Sequence, residues 1–429
     1  MSEIALRPGA DIAVARTATG WKSDTMNRRV ARRYASERRF RAVGLFAVVL
    51  SGGFLAFLLI SMLIGGARGF TQTELKLTVD FPSIAAGTTA EALKGPQADE
   101  TIAALDLETL ASTAATAGYG DGSAALLSDG AWLKLRSALK DDPTLITRKA
   151  VIWVPASVDI DMAAKGKGDG EHKKIVDRLK AQGNLHTGIS TTFFTSADST
   201  DPTAVGIWGA FKGTLLTMLI TALLAFPVGT LAALYLEEYA PRNAWTDMIE
   251  VSINNLAAVP SIIFGLLGLA VFLNFFNMPR SAPIVGGLTL ALMTMPVIVI
   301  AARNAIKAVP PSIRDGALAM GASPIQVVFH HVLPLAMPGI LTGTIIGMAR
   351  ALGETAPLIL IGMRAFISSP PAGFTEPATV LPVQIFLWSD EVSAGFVEKT
   401  SAAIIVLLVF LMTMNATAIY LRNHFERRW

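Results

Sequence analysis

The chain has 429 residues, 52% hydrophobic and only 16% charged, with a mean hydropathy of +0.50; soluble domains carry nearer ~25% charged residues, so this is the composition of an integral membrane protein. The net charge of +3 is small and the basic residues gather at the termini, which argues against a nucleic-acid partner. Without cysteine there are no disulfides, no thiolate catalysis and no cysteine-ligated metal.

Residues 1–41 hold ten Lys/Arg against four Asp/Glu, among them Arg28, Arg29, Arg32, Arg33, Arg38, Arg39 and Arg41. This basic arm belongs in the cytoplasm by the positive-inside rule. Residues 42–64 carry no charge and are long enough to cross a hydrocarbon core of about 30 Å. They lie too far into the chain for a cleaved signal peptide and are read as a retained transmembrane helix 1.

Residues 65–205 change character, with 14 Lys/Arg, 18 Asp/Glu and no apolar run long enough to cross. They form an extracytoplasmic soluble domain, large enough to bury its own core. Leu75, Leu77, Val79 and Phe81 alternate with polar residues in "TELKLTVDF", the pattern of a half-buried strand, and "KAVIWVPA" is a second strand. Helical spacing marks "DLETLASTAATAG", "DGAWLKLRSALKDD" behind a candidate cap at Asp129, and "HKKIVDRLKAQG". The domain is therefore mixed α and β. "KGKGDGEHKK" has neither phosphate-loop nor calcium-loop spacing and reads as a solvated loop.

Residues 206–429 hold transmembrane helices 2–6, at about 207–234, 251–276, 284–302, 337–363 and 401–421. Lys212 lies near an outer end, within reach of snorkelling. The fold class is thus an all-α polytopic membrane protein of six crossings with an inserted α/β domain. Both termini fall in the cytoplasm, the carboxyl end with the arginines of "RNHFERRW".

The cytoplasmic loop at 303–336 is not an ordinary polar connection. Pro310 and Pro311 start an apolar pattern at helical spacing, in which Ile313, Ala317 and Met320 share one face, Gly321 is a stop, a second helix begins near Ser323-Pro324, and Pro334 ends the segment. An amphipathic pair of this kind suits either a soluble partner or the lipid surface. Asp315-Gly316-Ala317, then Gly321, then Leu333-Pro334 resembles the EAA loop of bacterial ABC importer permeases, Glu-Ala-Ala-x3-Gly-x9-Ile-x-Leu-Pro, with its spacing kept throughout. Asp315, Gly316 and His331 depart from the pattern. The resemblance implies the ABC importer permease fold, and that Asp315, Gly316, Ala317, Gly321, Leu333 and Pro334 couple the chain to an ATPase subunit.

"LYLEEYAP", "AVPSIIFGLLGL", "LALMTMPVIV" and above all "GMARALGETAPLIL" are similar to the PstA-type permease of the phosphate importer, over roughly residues 205–429. This implies passage of inorganic phosphate in the bacterial inner membrane. It also implies a second, PstC-like permease subunit, a PstB-like ATPase dimer that holds ATP and Mg, and a PstS-like extracytoplasmic phosphate-binding protein. The outer domain looks like an extra region that some PstA-like proteins carry, with no implied activity.

Within the fifth crossing, Arg350 and Glu354 stand four residues apart. A charge at the bilayer centre costs about 2.5–3.5 kcal/mol on insertion scales, so intramembrane charges face a protein interior or a watery path. From Met337, Arg350 lies about 20 Å in at helical rise, too deep for easy snorkelling. Arg350 and Glu354 are expected to pair on one helix face, and Pro357 to kink the helix beside them. A guanidinium remains charged and matches two phosphate oxygens at once; Glu354 would hold it while the path is empty, and Thr355 lies beside the pair. An ion pair that only fixes helix packing is the competing account.

Asn254 and Asn255 suit interhelical packing, Glu238 a helix-end contact, and His330 with His331 has no metal-ligand spacing. No phosphate loop G-x-x-x-x-G-K-[ST] occurs, so the chain is expected to carry no ATPase, catalytic residue, cofactor or metal of its own. The alternatives are a permease for molybdate, sulfate or a phosphonate, and a membrane receptor sensing through residues 65–205.

Overall fold

A computed structural model describes residues 24–425, apart from residues 86 and 96. Residues 1–23 of the basic arm and the final four residues lie outside the described residues. Residues up to Ser61 and residues from Met62 onward form two compact units. Helix α1, Asp24–Gly69, contains the uncharged 42–64 stretch and extends beyond it on both sides. In the first unit it carries the pair Arg41–Glu37, 3.1 Å apart.

Strand β1 (Thr71–Asp80) follows α1 and forms the centre of a three-stranded antiparallel sheet with β2 (Lys149–Pro155) and β3 (Leu185–Ile189), in the order β2-β1-β3. Its register sets Leu75 opposite both Val154 and Leu185, and Leu77 opposite Ile152. Leu75, Leu77, Val79 and Phe81 all point into the core, as period-two alternation requires. Helices α2 (Ala98–Ala103), α3 (Leu107–Tyr119), α4 (Ala131–Asp141), α5 (Val158–Ala164), α6 (Gly170–Ala181) and α7 (Thr191–Thr195) complete the outer domain. Ile102, Leu110, Leu135, Leu139, Ile160 and Val176 close the core over the sheet. Asp129 does not cap α4. The carboxylate of Asp201 serves that helix end instead, taking the Gly130 amide at 2.9 Å.

The membrane region begins with α8 (Trp208–Leu234), which ends in a π turn at Tyr235–Tyr239. Helices α9 (Ala244–Ala257) and α10 (Ser261–Gly268, continued by a π turn at Leu269–Phe275) meet at a 101° bend, where the straight crossing at 251–276 was expected. Pro260, extended at φ −57 and ψ 138, redirects the chain there. Helix α11 (Pro283–Lys307) is the buried centre, packed against α8 and α10. The loop at 303–336 holds α12 (Pro311–Ala319) and α13 (Pro324–Val327). Then come α14 (Leu333–Gly353), α15 (Ala356–Leu360), α16 (Leu381–Ser389) and α17 (Ala394–Phe425). Among the described residues five helices are long and apolar enough to cross a membrane, or six crossings with the bent pair counted as one.

A buried charge cluster fastens the outer domain to the start of α17. Glu398 of α17, only 3% exposed, lies 3.3 Å from Lys165 and 2.9 Å from Lys167. Lys165 also bonds Asp161 at 2.6 Å and the Thr71 carbonyl at 2.9 Å, and Asp161 accepts from the Thr73 amide at 2.9 Å. Lys399 donates to the Gly69 carbonyl at 2.9 Å, a cation on the last turn of α1, and stands over the Phe193 ring. Glycine permits the approach of α1: a Cβ at Gly69 would lie 2.3 Å from the Glu398 carbonyl oxygen, too close for any side chain.

Candidate functional site

The first part of the site is the folded loop between α11 and α14. Pro310 and Pro311 open α12, where a fixed φ is suited to the first turn and the missing donor is not needed. Gly321, at φ +86, ends it in the left-handed conformation that a Cβ disfavours. Asp315, Gly316, Leu318 and Met320 are exposed along the outer edge, whereas Ala317 is buried in a cluster with Val309, Val327 and Val332. Ile313 and Ala317 share the inner face. Met320 does not, because α12 stops at Ala319 and leaves it 89% exposed.

Helix α13 begins at Pro324, with the Ser323 amide bonded to Gln326 Oε1 at 2.9 Å. Pro334 does not end the segment. A π turn at Val328–Val332 runs on into α14, whose second residue is Pro334, and the wider turn relieves the clash of the proline ring with the preceding carbonyls. Leu333 and Pro334 are consequently half-buried at the junction. His330 and His331 are exposed, and no metal-ligating group forms among the described residues.

Behind this loop lies a clamp of charges. Arg314 Nη2 donates to Glu238 Oε1 at 2.7 Å and to the Ile306 carbonyl at 3.0 Å, while Nη1 takes the Val309 carbonyl at 2.6 Å. Arg303 bonds Glu237 and reaches Glu250 at 2.7 Å; Lys307 stands 3.4 Å from Glu237. The π turn after α8 therefore holds the end of α11 and helix α12, and Glu250 adds α9. Sequence reasoning placed Glu238 at a helix end but missed Glu237, Glu250, Arg303 and Arg314. The available signal was an acid pair in "LEEYAP" matched by three cations near "ARNAIK" and "SIRDG", which the positive-inside rule absorbs as topological charges.

The outer part of the site departs from the expected single helix. Arg350 lies in the last turn of α14, where a cation meets the negative end of the helix dipole. Its Nε stands 3.5 Å from Glu354 Oε1, so the two residues do pair. They do not share a helix face: Glu354 is extended, at φ −81 and ψ 117, and α14 ends at Gly353 rather than running to 363. Their side chains are 49% and 20% exposed. Thr355 is half-buried directly before α15, with no hydrogen bond to its hydroxyl among the described residues. Pro357 kinks no continuous helix. It is the buried second residue of α15, where no backbone donor is required, and the break falls at Glu354-Thr355. It packs on α10, where a Cβ at Gly265 would come within 2.7 Å of Pro357 Cα. The bend at Pro260 and the break at Glu354 thus belong to one packed corner. Asn254 and Asn255 are exposed on α9.

Residues 225–429 match the family described as binding-protein-dependent transport system inner membrane component, and residues 27–174 match a domain of unknown function, DUF3333. A probable ABC transporter permease protein, YqgI, of Bacillus subtilis (strain 168) is 33% identical over 246 residues, 53% of this chain and 82% of that protein. The phosphate transport system permease protein PstA 1 of Mycobacterium tuberculosis (strain CDC 1551 / Oshkosh) is 32% identical over 52% of this chain and 73% of its own length. PstA of Yersinia pestis is 30% identical over 54% of this chain and 77% of its own. Among solved structures, the inward-facing methionine ABC transporter MetNI matches with a TM-score of 0.41 and 17% identity, over 52% of this chain and 98% of that one. The helix bundle and its sequence relatives make this chain an ABC transporter permease, a multi-pass membrane subunit. Within that class it belongs to the PstA-type permeases of the binding-protein-dependent family.

Proposed function

We propose that the chain is the transmembrane subunit of an ATP-driven importer of inorganic phosphate in the bacterial inner membrane, with both ends of the chain in the cytoplasm. The relatives named for phosphate transport support the cargo. The observation that carries the reading is Arg350: a guanidinium at the end of a membrane helix, half exposed and held by one contact of 3.5 Å. A strong charge-assisted bond is about 2.7–2.9 Å, so this guanidinium is loosely committed and free to meet a tetrahedral oxyanion. Glu354 occupies it while the path is empty and gives way when phosphate arrives, which leaves a site weak enough to release its ion. Thr355, at the break, adds a hydroxyl to the same stretch of path, and Pro357 fixes the corner beneath it.

The rest of the machine is supplied by partners: a second, PstC-like permease subunit, a PstB-like ATPase dimer that binds ATP and Mg, and a PstS-like phosphate-binding protein outside. The exposed edge of α12, with Asp315, Gly316 and Gly321, meets the ATPase; Ala317, Leu333 and Pro334 hold that edge from behind. Force on α12 passes through Arg314 and Glu238 to α8, and through α13 into α14 and so to Arg350. Arg350→Gln and Glu354→Gln, each measured for phosphate uptake at equal protein level, test the reading. Impaired uptake is expected in both, and normal uptake in both removes the pathway role.

A further inference from the structure

An open cleft of about 600 Å³ lies between the outer domain and the permease, within the ~300–1,000 Å³ of small-ligand sites. Four segments line it: α4 with Lys134, Arg136 and Ser137; Pro155 of β2; α7 and the linker after it to residue 204; and Phe366 with Ser368 from the loop after α15. Both cations are held at arm's length, Lys134 3.4 Å from Glu74 and Arg136 3.7 Å from Asp99. The Arg136 Nε is buried without a hydrogen-bond partner. The hydroxyls of Ser137, Thr192, Ser196 and Thr200 make no hydrogen bond among the described residues either. By contrast, Thr195 is spent on the Thr191 carbonyl and Thr203 on Asp201. The cleft thus offers unspent donors, and an unsatisfied buried donor favours a ligand rich in acceptors.

We propose that this cleft is a second binding site, for a phosphoryl oxyanion gripped by Arg136, with Lys134 and the four free hydroxyls completing its shell. The proposal goes beyond the transport reading and does not involve Arg350. Asp198 is the one acid in the lining. Its Oδ1 already accepts from Trp388 Nε1 at 3.0 Å and the Ser199 amide at 3.1 Å. Burial raises its proton affinity against those bonds. The phosphoryl group has two available sources, free inorganic phosphate or a phospholipid headgroup. The second arises because Trp208, exposed at the start of α8, is of the amphipathic aromatic kind that marks a membrane interface, with the apolar Phe194 exposed on α7.

The test uses the full chain carrying Arg350→Gln, so that binding on the transport path is disabled, in nanodiscs of phosphatidylcholine with or without phosphatidylglycerol. Inorganic phosphate is titrated calorimetrically, and retained lipid is read by native mass spectrometry. Saturable phosphate binding identifies the free ion as the source, and retained phosphatidylglycerol identifies the headgroup. Either must weaken at least about tenfold with added Arg136→Gln, the scale of one lost charge-assisted bond, and strengthen with Asp99→Asn, which releases Arg136. Binding of neither probe overturns the proposal, as does binding indifferent to both substitutions. Should Arg136→Gln not fold, Asp99→Asn and Thr192→Val decide in its place. Undiminished phosphate uptake by the Arg350→Gln chain would defeat the pathway role of Arg350 and leave the cleft standing.

Discussion

Arg314 on α12 is tied to Glu238 at the end of α8 by a 2.7 Å bond, while two carbonyls from the end of α11 and the connection beyond it take the rest of its guanidinium. A helix C-terminus leaves carbonyls without intrahelical partners, and here one arginine bonds the Val309 carbonyl and adds to the Val309 amide on the Ile306 carbonyl while bridging to a different helix. Three elements thereby meet on one planar group. A lysine, a point charge on a flexible stem, would not reproduce that fork.

The first prediction concerns this clamp. Arg314→Gln removes a partly buried charge-assisted contact, with an expected loss of about 1.5–3 kcal/mol at the joint. Uptake of phosphate should fall at least about tenfold while the ATPase subunit still co-purifies and hydrolyses ATP, because the docking edge at Asp315 and Gly316 is untouched. Uptake and hydrolysis measured on one preparation check this; equal loss of both would make the clamp part of the docking surface instead.

Much of the coupling loop was legible because its signals are local. Pro310-Pro311, Gly321 and Ser323-Pro324 each fix a helix end through their own φ or missing donor, and the structure has helix ends at all of them. The strand of alternating Leu75, Leu77 and Val79 was legible for the same reason. What failed was long-range. Gly353 and Pro357 in "ARALGETAP" are local breakers, read as a kink in one helix; that α14 stops outright at Gly353 and that Pro357 packs on Gly265, 92 positions away in the chain, is not a matter of local signal. The bend between α9 and α10 and the salt bridges of Arg303 and Arg314 likewise depend on partners that sequence spacing does not pair.

Gly321 supplies the second prediction. A Cβ there would meet nothing within 4 Å, so any cost of substitution is backbone strain at φ +86 and not a clash. Gly321→Ala should cost about 1–2 kcal/mol locally and weaken co-purification with the ATPase, whereas Gly321→Asn, which tolerates the left-handed region, should retain most of it. Equal behaviour of Ala and Asn would mean that the conformation does not matter.

Glu398 leads to the third. It is the α17 partner of both Lys165 and Lys167, and its loss leaves the buried Lys165 with Asp161 as its one carboxylate partner among the described residues. Removing one member of a buried pair costs about 3–5 kcal/mol, so Glu398→Ala should lower the apparent melting temperature of the detergent-solubilised chain and expose the outer domain to protease. Lys167→Ala, at a partly exposed position, should do far less.

Arg350 and Glu354 allow a fourth, sharper than loss of uptake. With Glu354→Gln the guanidinium has no counter-charge, so an anion entering the path should bind more tightly and leave more slowly. Phosphate uptake should then show a lower KM together with a lower maximal rate. A raised KM would contradict the exchange of partners on Arg350.

The fifth concerns Asp198, which burial holds above its ordinary value of 3.8, against the lowering effect of the bonds from Trp388 and the Ser199 amide. A raised carboxyl pKa means that the folded chain binds this proton more tightly than the unfolded chain does. The associated stability is therefore fully present below the ordinary value and is lost as pH rises through the raised one. Asp198→Asn abolishes that titration and leaves a neutral partner for Trp388. Across the acidic range above 3.8, the wild-type chain should lose apparent thermal stability relative to Asp198→Asn as the pH rises, and melting curves of the two proteins over that range read the difference directly. Parallel curves would show that the carboxyl keeps its ordinary proton affinity.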